Sequence, residues 1–82
     1  MRATILVRPK AGILDPQGEA VQASLRQLGF DVDEARVGRV IDLELERTDD
    51  PDAARAELER ACKQLLANPL IESYEIELHE QA

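Results

Sequence analysis

The sequence predicts a small α+β fold in which strands and two helices alternate within one domain spanning residues 1–82. Several segments alternate apolar and polar residues with a period of two, which is typical of half-buried strands. Two other segments open on an Asp-Pro pair and continue with apolar residues at helical spacing. With 82 residues, 44% hydrophobic and 33% charged, the chain is too short for two domains and too interrupted by charge to span a bilayer.

The first part of the chain predicts a strand followed by a helix. Residues 2–8 alternate, and Pro9 ends the strand because proline lacks the amide that a ladder bond needs. Asp15 suits an N-cap, since its carboxylate accepts free first-turn amides, and Pro16 suits the first helical position, where no amide partner is required. Apolar residues at helical spacing then predict a helix over about 16–28.

Two further strands are predicted in the middle of the chain. Gly29 suits the left-handed position that follows a helix end. Residues 30–37 alternate but change parity near Glu34, which predicts a second strand with a bulge. Gly38 marks a tight connection to a third strand over 41–46, where the alternation is nearly perfect.

The second half repeats this order of elements. Asp50 and Pro51 open a second predicted helix over about 51–66, thirty-five residues after the first Asp-Pro pair. An Asn-Pro pair stops it, and residues 74–79 alternate as a last strand. Two interleaved right-handed units predict a ferredoxin-like βαββαβ sandwich, with a four-stranded antiparallel sheet, strand one between strands three and four, and both helices on one face.

This arrangement leaves one sheet face uncovered. The side chains predicted to lie on it are Arg2, Thr4, Leu6, Arg8, Asp42, Glu44, Glu46, Glu75, Glu77 and His79. Opposite charges on neighbouring strands would make this face a solvated, salt-bridged surface. Alternatively, Leu6 and Val40 would serve as apolar anchors for contact with another subunit.

Composition restricts the class of partner. The net charge of −7 repels phosphate backbones, and two aromatic residues are too few for stacking on bases, so nucleic acid is disfavoured. Residues 1–30 carry four basic and two acidic side chains, whereas residues 31–82 carry six and fifteen, which would favour head-to-tail attraction between copies. A single cysteine and no secretory signal pattern predict a cytoplasmic protein.

Residues that could perform chemistry are isolated from one another in the sequence. His79 lies among glutamates, and Cys62 falls beside the apolar stripe of the second helix, where a buried, inert thiol is expected. The acids Asp49, Asp50 and Asp52 suit helix capping better than a cation. The loop from residue 12 to 18 lacks the glycine spacing of a phosphate loop. We therefore expect no catalytic residue and no metal site.

Four segments resemble one family. The run Lys10-Ala11-Gly12-Ile13-Leu14-Asp15-Pro16-Gln17-Gly18 resembles the signature of PurS, the small subunit of phosphoribosylformylglycinamidine (FGAM) synthase. Three other runs are similar to its basic turn, its third strand and its helix stop: Arg36-Val37-Gly38-Arg39, Ile41-Asp42-Leu43-Glu44-Leu45 and Asn68-Pro69-Leu70-Ile71-Glu72-Ser73-Tyr74. The chain departs from that pattern at Pro9, and at Arg39, where lysine is common.

The resemblance implies a non-catalytic subunit of a multi-chain ligase in purine biosynthesis. A large synthetase subunit would bind ATP, magnesium and the formylglycinamide ribonucleotide, and a glutaminase subunit would release ammonia. PurS dimers or tetramers would hold the two together, with no cofactor on this chain. The residues that we expect at partner contacts are Lys10, Arg36, Arg39 and Leu6, and those that we expect to be structural are Gly12, Asp15, Pro16, Gly18 and Gly38.

Alternatives to these predictions exist at two levels. The arginines of the basic turn would steer or seat larger subunits, or they would merely neutralise Asp31, Asp33 and Glu34. The protein would be an assembly subunit, or a small ligand-sensing regulatory module on the same fold. A small acid–base enzyme is a third interpretation, which isolated carboxylates and one histidine support poorly.

Overall fold

The computed structural model describes residues 1–46 and 50–79 of the chain. In chain order its elements are β1 (Arg2–Pro9), α1 (Pro16–Gln27), β2 (Arg39–Glu44), α2 (Pro51–Ala61), a π-helical turn (Cys62–Leu66) and β3 (Glu72–His79). The α+β class is confirmed, with two α-helices and an antiparallel sheet. Within the described residues, neither helix has the length and hydropathy needed to cross a bilayer.

β1 is the central strand of the sheet. β2 and β3 flank it, and both run antiparallel to it. Ile5 lies opposite Ile41 on one side and Ile76 on the other, so the odd-numbered residues of β1 share a face with apolar residues of both neighbours. The predicted place of the first strand, between the third and the last, is therefore confirmed.

The hydrophobic core lies between this apolar face and α2. Ala3, Ile5 and Val7 are buried, and they pack with Leu58 of α2 and Cys62 of the π-helical turn. The apolar side chains of β2 and β3 on the same face are only partly buried. One sheet face thus supplies the core, and no element of the described residues covers the opposite face.

Both helices begin at the predicted caps. Asp15 and Asp50 each accept a hydrogen bond from the backbone amide three residues further on, at 3.0 and 3.1 Å, and each is followed by proline at the first helical position. α1 ends before Gly29, whose φ of 93° is left-handed. The next amide, of Phe30, donates to the carbonyl of Leu25 at 3.0 Å, which completes a Schellman motif.

The predicted second strand over 30–37 is wrong. The described residues form three strands rather than four, and this segment is irregular. Side chains of α1 bind its backbone: Arg26 donates to two of its carbonyls at 2.9 Å each, and the Ala35 amide donates to Gln22 Oε1 at 3.2 Å. Backbone groups bonded in this way are not available to a strand ladder.

The prediction that both helices cover one face of the sheet is also wrong, because α1 does not pack on the sheet. No residue of α1 belongs to the core, and Gly18 is its one buried residue. The chain measures 50 × 30 × 14 Å, and its radius of gyration is 16.1 Å. A compact domain of this length would have a radius of about 12 Å. The molecule is thus elongated, with α1 outside its core.

Candidate partner interface

The residues predicted to contact a partner lie together at one end of the sheet. Leu6, Arg36 and Arg39 line a concave surface of about 290 Å³. Lys10 adjoins it, because its carbonyl accepts a hydrogen bond from Arg36 Nη2 at 2.6 Å. The end of β1, the loop before β2 and the start of β2 meet there, so residues far apart in the sequence form one surface.

Arg36 holds the loop before β2 against the end of β1. Besides its bond to Lys10, Nη2 donates to the carbonyl of Pro9 at 3.2 Å, and Nη1 pairs with Glu34 at 3.0 Å. The Glu34 pair agrees with the alternative prediction that Arg36 neutralises a nearby carboxylate. Two carbonyls and one carboxylate fix the planar guanidinium in one orientation.

Arg39 joins the start of β2 to the start of β3. Its two Nη atoms bind the two carboxylate oxygens of Glu72 at 2.6 and 3.1 Å, and Nη2 also donates to the carbonyl of Leu66 at 2.5 Å. This bidentate bond is the largest cause that lowers the pKa of Glu72 and raises the pKa of Arg39. Arg39 therefore pairs with Glu72, which corrects the prediction that it neutralises acids among residues 31–34.

Lys10 binds the turn that precedes β3. Its Nζ donates to the carbonyl of Pro69 at 2.6 Å, and its amide donates to the carbonyl of Ile71 at 2.9 Å. Among the ion pairs between described residues, none involves Lys10. Its charge is therefore held in place by a carbonyl without being neutralised by an ion pair in that part of the chain.

Asp15 connects the start of α1 to the loop before β2. Its carboxylate accepts from the Gly18 amide at 3.0 Å and from the Val37 amide at 2.8 Å. The bond from Val37, followed by the one from Gly18, lowers the pKa of Asp15. One side chain thus caps α1 and also binds a residue 22 positions further along the chain. These two contacts are the structural role of Asp15.

Two of the predicted structural glycines are required by close packing, and one by its backbone conformation. A Cβ at Gly18 would collide with the Asp15 carboxylate, and a Cβ at Gly38 would collide with the carbonyl of Val7. Gly12 adopts a φ of 82° in the turn that follows β1. Gly38 thus lets the loop before β2 lie directly against the backbone of β1, beside the concave surface.

The uncovered sheet face continues from the concave surface. Leu6 lies opposite Val40 near the start of β2, and both line the concave surface. The ion pairs between arginines of β1 and acids of its neighbours are Arg8–Glu75 at 3.2 Å and Arg2–Glu44 at 3.4 Å. The face therefore combines an apolar pair with a salt-bridged surround, as the alternation predicted.

The described residues of reactive type lie on the open sheet face and in the core. The Thr4 hydroxyl donates to Asp42 at 3.1 Å and lies 3.2 Å from His79 Nε2, on the open sheet face. Cys62 is buried, which raises the pKa of its thiol and disfavours the reactive thiolate. No group of three or more metal-ligating side chains occurs in residues 1–46 and 50–79, and Asp49 lies outside them.

Comparisons with known proteins identify the family. The model of the family PurS, described as phosphoribosylformylglycinamidine (FGAM) synthase, matches residues 2–80. This chain belongs to the PurS family. The PurS subunit of FGAM synthase from Methanocaldococcus jannaschii is 38% identical over 80 residues, which cover 96% of this chain and 95% of that protein. The PurS subunit from Synechocystis is 45% identical over 78 residues, covering 94% and 75%. PurS is thus a subunit of a multi-chain ligase of purine biosynthesis.

Solved PurS structures share this fold. The crystal structure of Methanocaldococcus jannaschii PurS, one of the subunits of formylglycinamide ribonucleotide amidotransferase in the purine biosynthetic pathway, superimposes with a TM-score of 0.85 at 36% identity and covers 99% of this chain and 98% of that one. A chain in the structure of PurLQS from Thermotoga maritima gives a TM-score of 0.82 at 34% identity, with 93% of each chain covered. The fold therefore occurs both in separate PurS and in a PurLQS structure.

Sequence reasoning missed one residue that supports this surface, Glu72, and one that binds α1 to the segment after it, Arg26. The sequence places Glu72 only in the helix stop, although it binds Arg39 and accepts from the Asn68 amide at 2.8 Å. Its place opposite Pro9 in the register of β1 and β3 brings it near Arg39, and no local pattern indicates that register. Arg26 had a local signal, since a basic residue in the last helical turn lies near the chain that follows.

Proposed function

We propose that this chain is a non-catalytic assembly subunit of FGAM synthase that self-associates and joins a large synthetase subunit to a glutaminase subunit. The observation that carries the proposal is its family membership, together with its similarity to a chain of the PurLQS structure. In this proposal ATP, magnesium and the ribonucleotide bind the synthetase subunit, and the complex works in the cytoplasm. This chain supplies surfaces and no reacting group.

The partner contact in this proposal is the concave surface formed by Leu6, Arg36 and Arg39, with Lys10 beside it. Bonds within the chain fix both guanidinium groups, so little side-chain freedom remains to be lost when a partner binds. Basic groups on a body of net charge −7 would orient an acidic region of the partner. Leu6 and the 60%-exposed Val40 supply apolar area beside those charges.

Reconstitution tests the assembly role. The synthetase and glutaminase subunits of the same organism are assayed for FGAM formation with glutamine or with ammonium as the nitrogen source, with and without this chain. We expect turnover from glutamine only when the chain is present, and no turnover by the chain alone. Turnover by the lone chain, or glutamine-dependent turnover of equal rate in its absence, would contradict the proposal. A melting shift of the lone chain with a metabolite would favour the regulatory alternative.

Charge reversal tests the concave surface. Arg39→Glu is expected to weaken binding of the partner subunits, whereas Arg60→Glu, on the exposed side of α2, is the matched control. Because Arg39 also binds Glu72, the exchange Arg39→Glu/Glu72→Arg is included. It restores the pair within the chain and still reverses the charge presented at residue 39. Normal binding by the folded exchange variant would exclude Arg39 as a partner contact.

A further inference from the structure

The uncovered sheet face carries more acidic than basic side chains. It consists of the even-numbered residues of β1 and β2 and the odd-numbered residues of β3. Its charged residues, all exposed, are two arginines and four acids in addition to His79: Arg2, Arg8, Asp42, Glu44, Glu75 and Glu77. With a neutral histidine the face therefore has two more negative than positive charges.

The unbalanced charge lies around Thr4. Both arginines of the face pair with carboxylates of the neighbouring strands. The other two carboxylates, of Asp42 and Glu77, lie opposite Thr4 on its two sides, about 10 Å apart across two strand spacings. Asp42 accepts a hydrogen bond from the Thr4 hydroxyl at 3.1 Å, and Glu77 lies 3.8 Å from His79 Nε2. Among the described residues, neither carboxylate forms an ion pair with a lysine or an arginine.

An apolar pair adjoins these two carboxylates. Leu6 follows Thr4 on the same face of β1, about 7 Å further along the strand, and lies opposite the 60%-exposed Val40. The stem of a lysine or an arginine can lie on apolar side chains while its charged end reaches a carboxylate. The arrangement therefore suits long basic side chains of a partner.

We propose that the uncovered sheet face docks a basic surface of one of the two larger subunits, with Asp42 and Glu77 as the contacts for its lysine or arginine side chains. The inference rests on the proposed function, in which this chain joins those two subunits. The concave surface offers basic groups, whereas the sheet face offers acidic ones. Because the two surfaces differ in sign, charge complementarity would direct each subunit to its own surface.

Charge and area select this occupant over others. The unbalanced carboxylates repel nucleic acid and anionic membranes, and a second copy would bring the same excess of negative charge to the contact. Three strands, with eight residues in β1, give the face a footprint of about 14 × 27 Å. This footprint is below the roughly 800 Å² that each side of a standard stable interface buries. We therefore expect a contact that depends on charge and that salt weakens.

Neutral variants of the same shape test the role of charge. Asp42→Asn/Glu77→Gln removes both carboxylates, and the amide oxygen at residue 42 can still accept from the Thr4 hydroxyl. The matched control, Asp52→Asn/Glu57→Gln, removes two exposed carboxylates of α2 and has the same net charge. Association is measured with the purified synthetase subunit, with the purified glutaminase subunit and with their mixture, in low and in high salt.

In low salt, Asp42→Asn/Glu77→Gln is expected to associate with one of the two subunits about tenfold more slowly than the control, and the difference should nearly vanish in high salt. Equal rates for the two folded variants in low salt would overturn the inference. So would a change in the sedimented mass of the free chain, because it would place the face between copies. Failure of the unaltered chain to bind either subunit or their mixture would instead overturn the proposed function, on which the inference rests.

Discussion

Substitutions at Ile5 and Leu6 compare the two faces of the sheet on adjacent residues of β1. Ile5 is fully buried in the core, whereas Leu6 lies half-buried on the uncovered face beside Val40. Shortening a buried isoleucine costs about 0.5–1.5 kcal/mol as Ile→Val and about 2–5 kcal/mol as Ile→Ala. An 82-residue chain has a free energy of unfolding of about 4–12 kcal/mol. Ile5→Ala is therefore expected to remove a large fraction of the stability.

Leu6→Ala is expected to change the free energy of unfolding little and to weaken partner binding. A side chain outside the core gives up little packing, so the free energy of unfolding should fall by less than about 1 kcal/mol. At a partner contact, the same truncation should weaken binding by about 1–2 kcal/mol, or roughly fivefold to thirtyfold. Ile5→Val is the control for a small loss of stability and should lower the melting temperature by roughly 4–8 °C per kcal/mol without weakening binding.

Urea unfolding followed by circular dichroism measures the free energy of unfolding. All variants are compared at one chain concentration, because association shifts apparent stability. Binding to the immobilised synthetase–glutaminase pair measures the affinity for the partner subunits. A loss of stability in Leu6→Ala as large as that in Ile5→Ala would refute the assignment of faces. Unchanged binding by Leu6→Ala would remove Leu6 from the partner contact and leave the core assignment intact.

Three further predictions follow from individual contacts. Tyr74→Phe removes the hydroxyl bond to Glu59 and should lower the free energy of unfolding by about 1–2 kcal/mol in urea titrations. Because this contact raises the pKa of Tyr74 from 10.0 to about 12, its stabilisation should be present below pH 10 and lost as the pH rises from 10 to about 12; a flat alkaline profile would contradict it. Asp15 has a lowered pKa, so its stabilisation should be present above its usual value of 3.8 and lost as the pH falls through the lower folded value, and acid unfolding of Asp15→Asn should lack this component. Cys62 should react with a maleimide slowly in the native chain and quickly in urea, whereas fast native labelling would contradict its burial.

Most elements could be predicted from the sequence because their signals are local. The Asp-Pro starts, the glycine after α1 and the alternation of the paired strands depend on nearest neighbours in the chain, and all are found in the structure. The segment 30–37 also alternates, yet it is not a strand. Arg26 and Gln22 bind its backbone, so helix side chains take hydrogen bonds that a strand ladder would use. The spacing of apolar residues does not reveal this competition.

The composition of the candidate interface was predictable, but its internal pairing was not. Leu6, Arg36 and Arg39 are all predicted at partner contacts, and the structure brings them to one surface. The carboxylate that Arg39 binds lies thirty-three positions away, and the register of β1 with β3 brings it there. The sequence indicates the nearer acids at residues 31–34 instead, because spacing along the chain does not show which strands pair.

The segment from residue 15 to residue 37, which carries α1, shares contacts with the candidate interface. Arg36 lines the concave surface and also fixes the returning end of this segment through the carbonyl of Lys10. Asp15 fixes the other end through the Val37 amide. Self-association that restrains α1 would therefore also restrain the guanidinium groups offered to the larger subunits. Self-association would reduce the conformational freedom lost on assembly, and would favour assembly from a preformed pair over assembly from single chains.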